Sequence, residues 1–254
     1  MTQQQAQHAQ PAQQRTPVQQ RTPVLLAVST VIFALRGEGS GDPHGRGRAK
    51  GPGRLWLPLV RRIREPYAGR WALPGGALGA DEGLATAARR TLAETTALSP
   101  RHLEQLYTFG DPDRSPSERV VSVVYWALVN PAEAGQAVED ENVSWFPADA
   151  LPPLAFDHEQ IVEYALWRLR TKMEYSRIAH AFLGDVFTIS QLRAVHEAVL
   201  GRPLDPANFR RGVLADRTIS PTDELATGGR HRPARYYRYN TSVELTDLGP
   251  LRSI

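Results

Sequence analysis

The residues best placed to do chemistry lie between Leu73 and Leu98, in the stretch LPGGALGADEGLATAARRTLAETTAL. A Leu-Pro-Gly-Gly turn holding Gly75 and Gly76 precedes a charged run that is expected to form a helix from about Glu82 to Thr96. A glycine-rich turn leading into a helix start can aim backbone N–H groups at a phosphate, because the first turn of a helix leaves its donors without intrahelical partners. Glu82, Arg90 and Glu94 stand on this run, and Thr91 and Thr95, one helical turn apart, share a face. Carboxylates at two such positions could clasp a magnesium ion against a diphosphate. Threonines cannot, since Mg²⁺ takes hard anionic oxygens in near-octahedral geometry. No catalytic residue or metal ligand is therefore assigned among these side chains, while the turn and helix start can still receive a phosphate-bearing ligand. The plainer reading makes Arg90 and Glu94 an i,i+4 ion pair on an ordinary helix surface.

A second cluster lies near the C-terminal end. Asn208, Arg210 and Arg211 follow Asp205-Pro206, a pair that starts a helix well, while Arg230, His231, Arg232 and Arg235 surround a Gly228-Gly229 turn before a tyrosine-rich strand. Helix, tight turn, helix and hairpin is the order of a winged helix-turn-helix. In such a module arginine and asparagine on the second helix can pair with guanine and adenine in the major groove, and bases at the hairpin tip can hold phosphates. An arginine-rich face is otherwise usually a solvated face.

The elements that must position these clusters can be read from periodicity. Val24 to Leu35 and Val120 to Val129 are dense in β-branched residues and suit buried strands; Leu55 to Arg62 and Val143 to Phe146 are shorter ones. Beyond Leu151-Pro152-Pro153-Leu154 the pattern turns helical, with Ile161, Ala165, Leu166, Leu169 and Met173 at three- and four-residue spacing in a helix expected from Asp157 to Phe182. A further helix over Ser190 to Leu200 carries the capping-box pair Thr188 and Gln191 and a terminating Gly201. On the Asp205 helix, Phe209, Val213 and Leu214 are expected to face the core. Residues 1–23, with a repeated QQRTPV, read as a disordered Gln/Pro-rich tail, and Gly37 to Arg54 as a surface insertion. The expected organisation is the tail, a ligand-sensing unit over 24–156 and a DNA-binding unit over 157–254.

Composition excludes several alternatives. The chain of 254 residues contains no cysteine, which removes disulfide scaffolds, thiolate zinc sites and cysteine nucleophiles together. Its net charge of +3 is small, so the location of the arginines matters more than their sum. The apolar run after Arg21 has the basic flank of a secretory leader, yet it is too short to span a bilayer and its β-branched residues favour a strand, so a cytoplasmic protein with no membrane partner is expected.

The stretch from Gly76 to Leu98 resembles the Nudix box, with Gly76, Glu82, Arg90, Leu92, Glu94 and Leu98 at the box spacing and Trp71-Ala72-Leu73-Pro74-Gly75 like its lead-in. Thr91 and Thr95 stand where the box has glutamates, and Ala97 where it has glycine, so the resemblance, with only Glu94 left near that face, implies a pocket that recognises its nucleotide without cleaving it. Together with LGRPLDPANFRR, GGRHRPARYYRY, Thr108-Phe109-Gly110-Asp111-Pro112 and Phe156-Asp157-His158, this resembles the NrtR family of Nudix-related transcriptional regulators of NAD metabolism. The resemblance implies an N-terminal Nudix-like α/β/α sandwich with a mixed sheet and a C-terminal winged helix-turn-helix. It also implies a homodimer on a palindromic operator of double-stranded DNA near genes of NAD synthesis or salvage, with ADP-ribose as effector and no cofactor. Relatives that recognise ADP-ribose use aromatic stacking and arginines around the cleft, which makes Arg62, Arg70, Trp71 and Arg119 candidates beside Gly75, Gly76 and Glu94. The alternatives are an active Nudix hydrolase with a regulatory C-terminal unit, and a regulator answering to a different nucleotide or sugar.

Overall fold

The computed structural model describes residues 23–36, 53–100, 103–175, 178–226 and 233–240. Residues 1–22 of the tail, residues 37–52 of the expected Gly37 to Arg54 insertion, and Arg230, His231 and Arg232 lie outside the described residues, and Arg54 belongs to a strand instead of the insertion.

A seven-stranded mixed sheet forms the N-terminal unit. Its long strands β1 (Leu25–Arg36) and β6 (Val120–Val129) run parallel through the centre, as their β-branched composition favours. On the other side of β1 lie β2 (Arg54–Arg61), which pairs with residues 34–36, and β4 (Gly75–Ala77), which pairs with residues 27–29. β3 (Trp71–Ala72) and β7 (Val143–Pro147) extend β2, and β5 (Glu104–Phe109) lies beside β6 at the sheet's far edge.

Both faces of β1 are covered, so its alternation separates two apolar sets. Val28, Ile32 and Ala34 pack on the side of α1 (Leu84–Thr96) and the short α2 (Pro131–Ala134). Val31 and Phe33 pack on the side of α3 (His158–Tyr175), through Ile161, Val162, Ala165 and Leu169. This is the expected α/β/α sandwich. α1 begins at Leu84, two residues after Glu82, and ends on Ala97 in the left-handed region at φ 58°, where the box has glycine.

The helix expected from Asp157 to Phe182 is shorter than that. α3 stops at Tyr175, and a separate 3-10 turn covers Ile178–Phe182. In a continued helix the face of Met173 would next present Ser176, Arg177 and His180, whereas the apolar residues that follow, Ala179 and Phe182, would fall on the far side. Both are buried in the structure, in the separate turn.

The C-terminal unit comprises α4 (Ile189–Leu200), α5 (Pro206–Ala215), β8 (Ile219–Ala226) and β9 (Ala234–Tyr239), the last two forming an antiparallel hairpin. Thr188 and Gln191 form the expected capping box and Gly201 closes α4 at φ 67°. Phe187 exchanges backbone hydrogen bonds of 2.9 and 2.7 Å with Tyr237, tying the wing to the start of α4. The core runs without a break from the sheet through α3 into Phe182, Phe187, Leu192, Val195 and Tyr237.

Candidate functional site

A cleft of about 610 Å³ opens where β1, β2 and β4 meet the loop that runs from Arg114 to Glu118 and the start of α3. Of the residues expected at the ligand, Arg62, Gly75 and Gly76 line it; Arg70, Trp71, Glu94 and Arg119 do not. The glycines are set by packing. A Cβ on Gly75 would come within 2.3 Å of the Val28 carbonyl oxygen, and one on Gly76 within 3.1 Å of the Thr91 methyl. Strand β4 therefore lies directly on β1 and α1, forming one wall of the cleft.

Arg62 places its guanidinium 4.6 Å above the Phe156 ring and donates to the Pro66 and Arg64 carbonyl oxygens at 2.8 and 3.3 Å. Partial burial lowers its pKa, an effect opposed by Glu65. Arg70 lies 5.4 Å over Tyr67. Trp71, partly buried, meets Phe146 edge to face at 5.0 Å. Arg119 donates to the backbone oxygens of Gly110, Asp111 and Val120, which makes it a brace for the turn between β5 and β6.

Arg90 of α1 joins Glu94, one turn on, to Glu82 just before the helix. Arg90 donates to Glu82 at 2.6 and 3.0 Å and to Glu94 at 3.1 Å. Hydrogen bonds from Arg90 and the Gly79 N–H hold the Glu82 carboxyl below its ordinary pKa, and Glu82 in turn raises that of Arg90. The Gly79 donor near the helix start is thereby taken by Glu82, at 2.7 Å.

Two residues not anticipated at the cleft dominate its inner end. Arg114, which lines it, donates to both carboxylate oxygens of Asp157 at 2.9 and 2.7 Å, and both side chains are largely buried. His158, fully enclosed, accepts the Leu73 N–H on Nδ1 at 2.9 Å. Burial pushes its pKa down to about 4, Arg114 and Arg62 push the same way, and Asp157 opposes them. Phe156-Asp157-His158 was visible as a motif; its link to Arg114, 43 residues earlier in sequence, was not.

In the C-terminal unit the turn between α4 and α5 is fixed by Glu197, which accepts from Arg193 at 2.6 Å and from the Leu204 N–H at 2.8 Å. Asp205 caps α5 by accepting the Asn208 N–H at 2.8 Å. No residue of α5 is buried. Phe209 and Val213 pack against the core, with Phe209 edge-on to His196 at 5.1 Å, and burial lowers the pKa of that histidine. Leu214, expected in the core, is 40% exposed instead. It lies about 140° around the helix from Phe209, off the strip that Phe209 and Val213 define. Asn208, Arg210 and Arg211 are exposed, Arg211 donating to the Asn208 side-chain oxygen, and Arg235 is exposed on β9.

Comparison with known proteins supplies the family. The NUDIX domain description matches residues 48–165, and the description "NrtR DNA-binding winged helix domain" matches residues 179–239. The ADPR responsive transcriptional repressor NtrR of Acinetobacter baylyi is 34% identical over 192 residues, which cover 74% of this chain and 76% of that protein. The chain belongs to the NrtR family. It is also similar to the crystal structure of Shewanella oneidensis NrtR complexed with a 27mer DNA, with a TM-score of 0.70 and 35% identity, over 85% of this chain and 93% of that one. An ADP-ribose pyrophosphatase of Methanocaldococcus jannaschii is 34% identical over 111 residues, covering 43% of this chain and 66% of that protein.

In this NrtR-family chain the residues do not fit the divalent cation of the Nudix enzymes. Thr91 is buried and donates to the Ala88 carbonyl oxygen, and Thr95 donates to that of Thr91 at 2.7 Å. Glu82 and Glu94 are both paired with Arg90. Among the described residues no group of three His, Asp or Glu side chains stands together as a metal site. Nor, among them, is any helix long and apolar enough to cross a membrane.

Proposed function

We propose that this chain is a DNA-binding transcriptional repressor whose Nudix cleft receives ADP-ribose and whose winged helix releases its operator in response. The observation that carries the reading is a conjunction. One end of the chain has a cleft of about 610 Å³ beside a helix that carries Thr91 and Thr95 where cation-holding carboxylates would stand, and the other has a helix with exposed Asn208, Arg210 and Arg211. The relatives' descriptions as an ADPR responsive repressor and as an NrtR complexed with DNA support it. Regulation is then the main role. The finer reading is a homodimer on a palindromic operator near genes of NAD synthesis or salvage, cytoplasmic, without hydrolysis of its effector and needing no cofactor, with the sensor ending and the reader beginning near residue 157. Arg230, His231, Arg232 and Arg235 would hold the phosphates beside the reading helix. An effector can release DNA only through its preference for a protein geometry that fits the operator less well.

Selection of binding sites from random duplex DNA by the purified full-length chain, followed by anisotropy titration, tests this. A palindromic sequence is expected, with ADP-ribose weakening its binding by about fivefold or more and Arg211→Ala by about tenfold or more. The ADP-ribose pyrophosphatase relative favours a second reading, hydrolysis. Enzyme-like turnover of ADP-ribose with Mg²⁺, well above a Glu94→Ala control, would establish it, and failure to select any duplex would overturn the repressor reading.

A further inference from the structure

We propose that Arg114 is the anion-reading residue of the cleft and is shared between the effector's diphosphate and Asp157, the residue on which α3 begins. The inference rests on the ADP-ribose-responsive reading above and specifies how that site would be felt by the reader.

A guanidinium carries five N–H donors in a rigid fork. Two of those on Arg114 are committed to Asp157, and among the described residues its side chain makes no other hydrogen bond, so three remain while the residue lines the cleft. Its side chain is 5% exposed. Hydrogen bonds from a desolvated cation to phosphate oxygens are among the strongest a protein makes, and arginine matches their geometry bidentately. The other arginines lining the cleft are less suited. Arg61 and Arg64 are exposed, and Arg62 is stacked on Phe156 and bonded to carbonyl oxygens.

Asp157 gives the pairing its consequence. Its carbonyl oxygen accepts the Ile161 N–H at 3.1 Å, opening the helix, and the next residue, His158, accepts from Leu73 on the cleft wall. The first turn of α3 is thus fastened to the cleft at two points. Further along, the Arg170 guanidinium of α3 donates to the Val199 carbonyl oxygen at the end of α4 at 3.2 Å. A diphosphate drawing on Arg114 sets two anions against one cation where water screens poorly, and a buried carboxylate that loses its partner is strongly disfavoured. Relief comes by moving Asp157, and with it the start of the helix that carries α4. By reciprocity, a geometry of α3 enforced by operator DNA would strengthen the Arg114–Asp157 pair and weaken the effector.

Two conservative variants of the full-length chain test this, with ADP-ribose affinity read by calorimetry, operator affinity by anisotropy, and folding by thermal melting. Asp157→Asn removes the competing charge and keeps the shape; ADP-ribose should bind about tenfold more tightly, and the ratio of operator affinities without and with ADP-ribose should fall toward one. Arg114→Lys keeps the charge and loses the fork; ADP-ribose should bind about tenfold more weakly, and inorganic pyrophosphate should compete less well than on the wild type. A pair that only held the fold would weaken ADP-ribose in both variants. That result, or wild-type affinity and ratio in both, overturns the inference. If instead the opposite shifts appear while ADP-ribose leaves operator binding of the wild type unchanged, Arg114 reads the anion but the repressor reading has failed.

Discussion

Arg90 and Arg114 each pair with carboxylates, yet they sit in opposite surroundings. Arg90 lies on the outer face of α1 with its side chain 40% exposed, between Glu82 and Glu94. Arg114 lies at the inner end of the cleft, 5% exposed, and grips Asp157 from a different part of the chain. Water and salt screen the first cluster, while the second is screened far less and its partners have been taken out of water together. The charged residues of the box, Glu82, Arg90 and Glu94, persist as a surface network. The buried Arg114–Asp157 pair belongs to no box position. Visibility in sequence and weight in the structure are therefore different properties.

That contrast can be broken most directly at Arg114. Arg114→Ala leaves Asp157 buried and unpaired, and urea denaturation at pH 7 should show a loss of about 3–5 kcal/mol. A loss no larger than that of Arg90→Ala would erase the distinction. The next effect is acid sensitivity from His158, whose folded pKa is lowered from 6.5 to about 4. Below pH 6.5 the unfolded chain takes up a proton that the folded chain refuses until about pH 4. Stability from this group is therefore whole above that window and falls across it, by about 3 kcal/mol in all. His158→Gln can still accept the Leu73 N–H without titrating, so denaturation midpoints at pH 7 and 4.5 should lie closer together than in the wild type; an unchanged separation would assign the acid loss to other groups. The smallest effect belongs to Arg90→Ala, which should leave the urea midpoint within measurement error and depend little on salt. A clear drop would mean that the α1 network contributes to the fold after all.

Local signals in the sequence carried much of the fold. β1 and β6 announce themselves by runs of β-branched residues, and Thr188, Gln191, Gly201, Asp205 and Pro206 mark helix ends whose caps form as their chemistry dictates. The threonines at 91 and 95 were legible because they interrupt a fixed spacing. What escaped was long-range. Arg114 reaches Asp157 across 43 residues, and no local pattern distinguishes it from Arg119, whose guanidinium turns to backbone carbonyls nearby. Trp71 looked like a stacking platform because of its type and place; its ring packs on Phe146, and only the pairing of β3 and of β7 with β2 reveals that neighbour. Leu214 and the end of α3 failed for a related reason. Apolar residues were assigned to helix faces before the direction of the neighbouring core was known.

The shallow seating of α5 has a consequence for descent. The helix is anchored by Phe209 and Val213 alone, and its remaining positions meet solvent. Substitutions at exposed positions away from caps usually change stability little. The operator address proposed for this helix can thus change with almost no penalty to the scaffold, which would leave the sensing unit free to be rewired to new promoters.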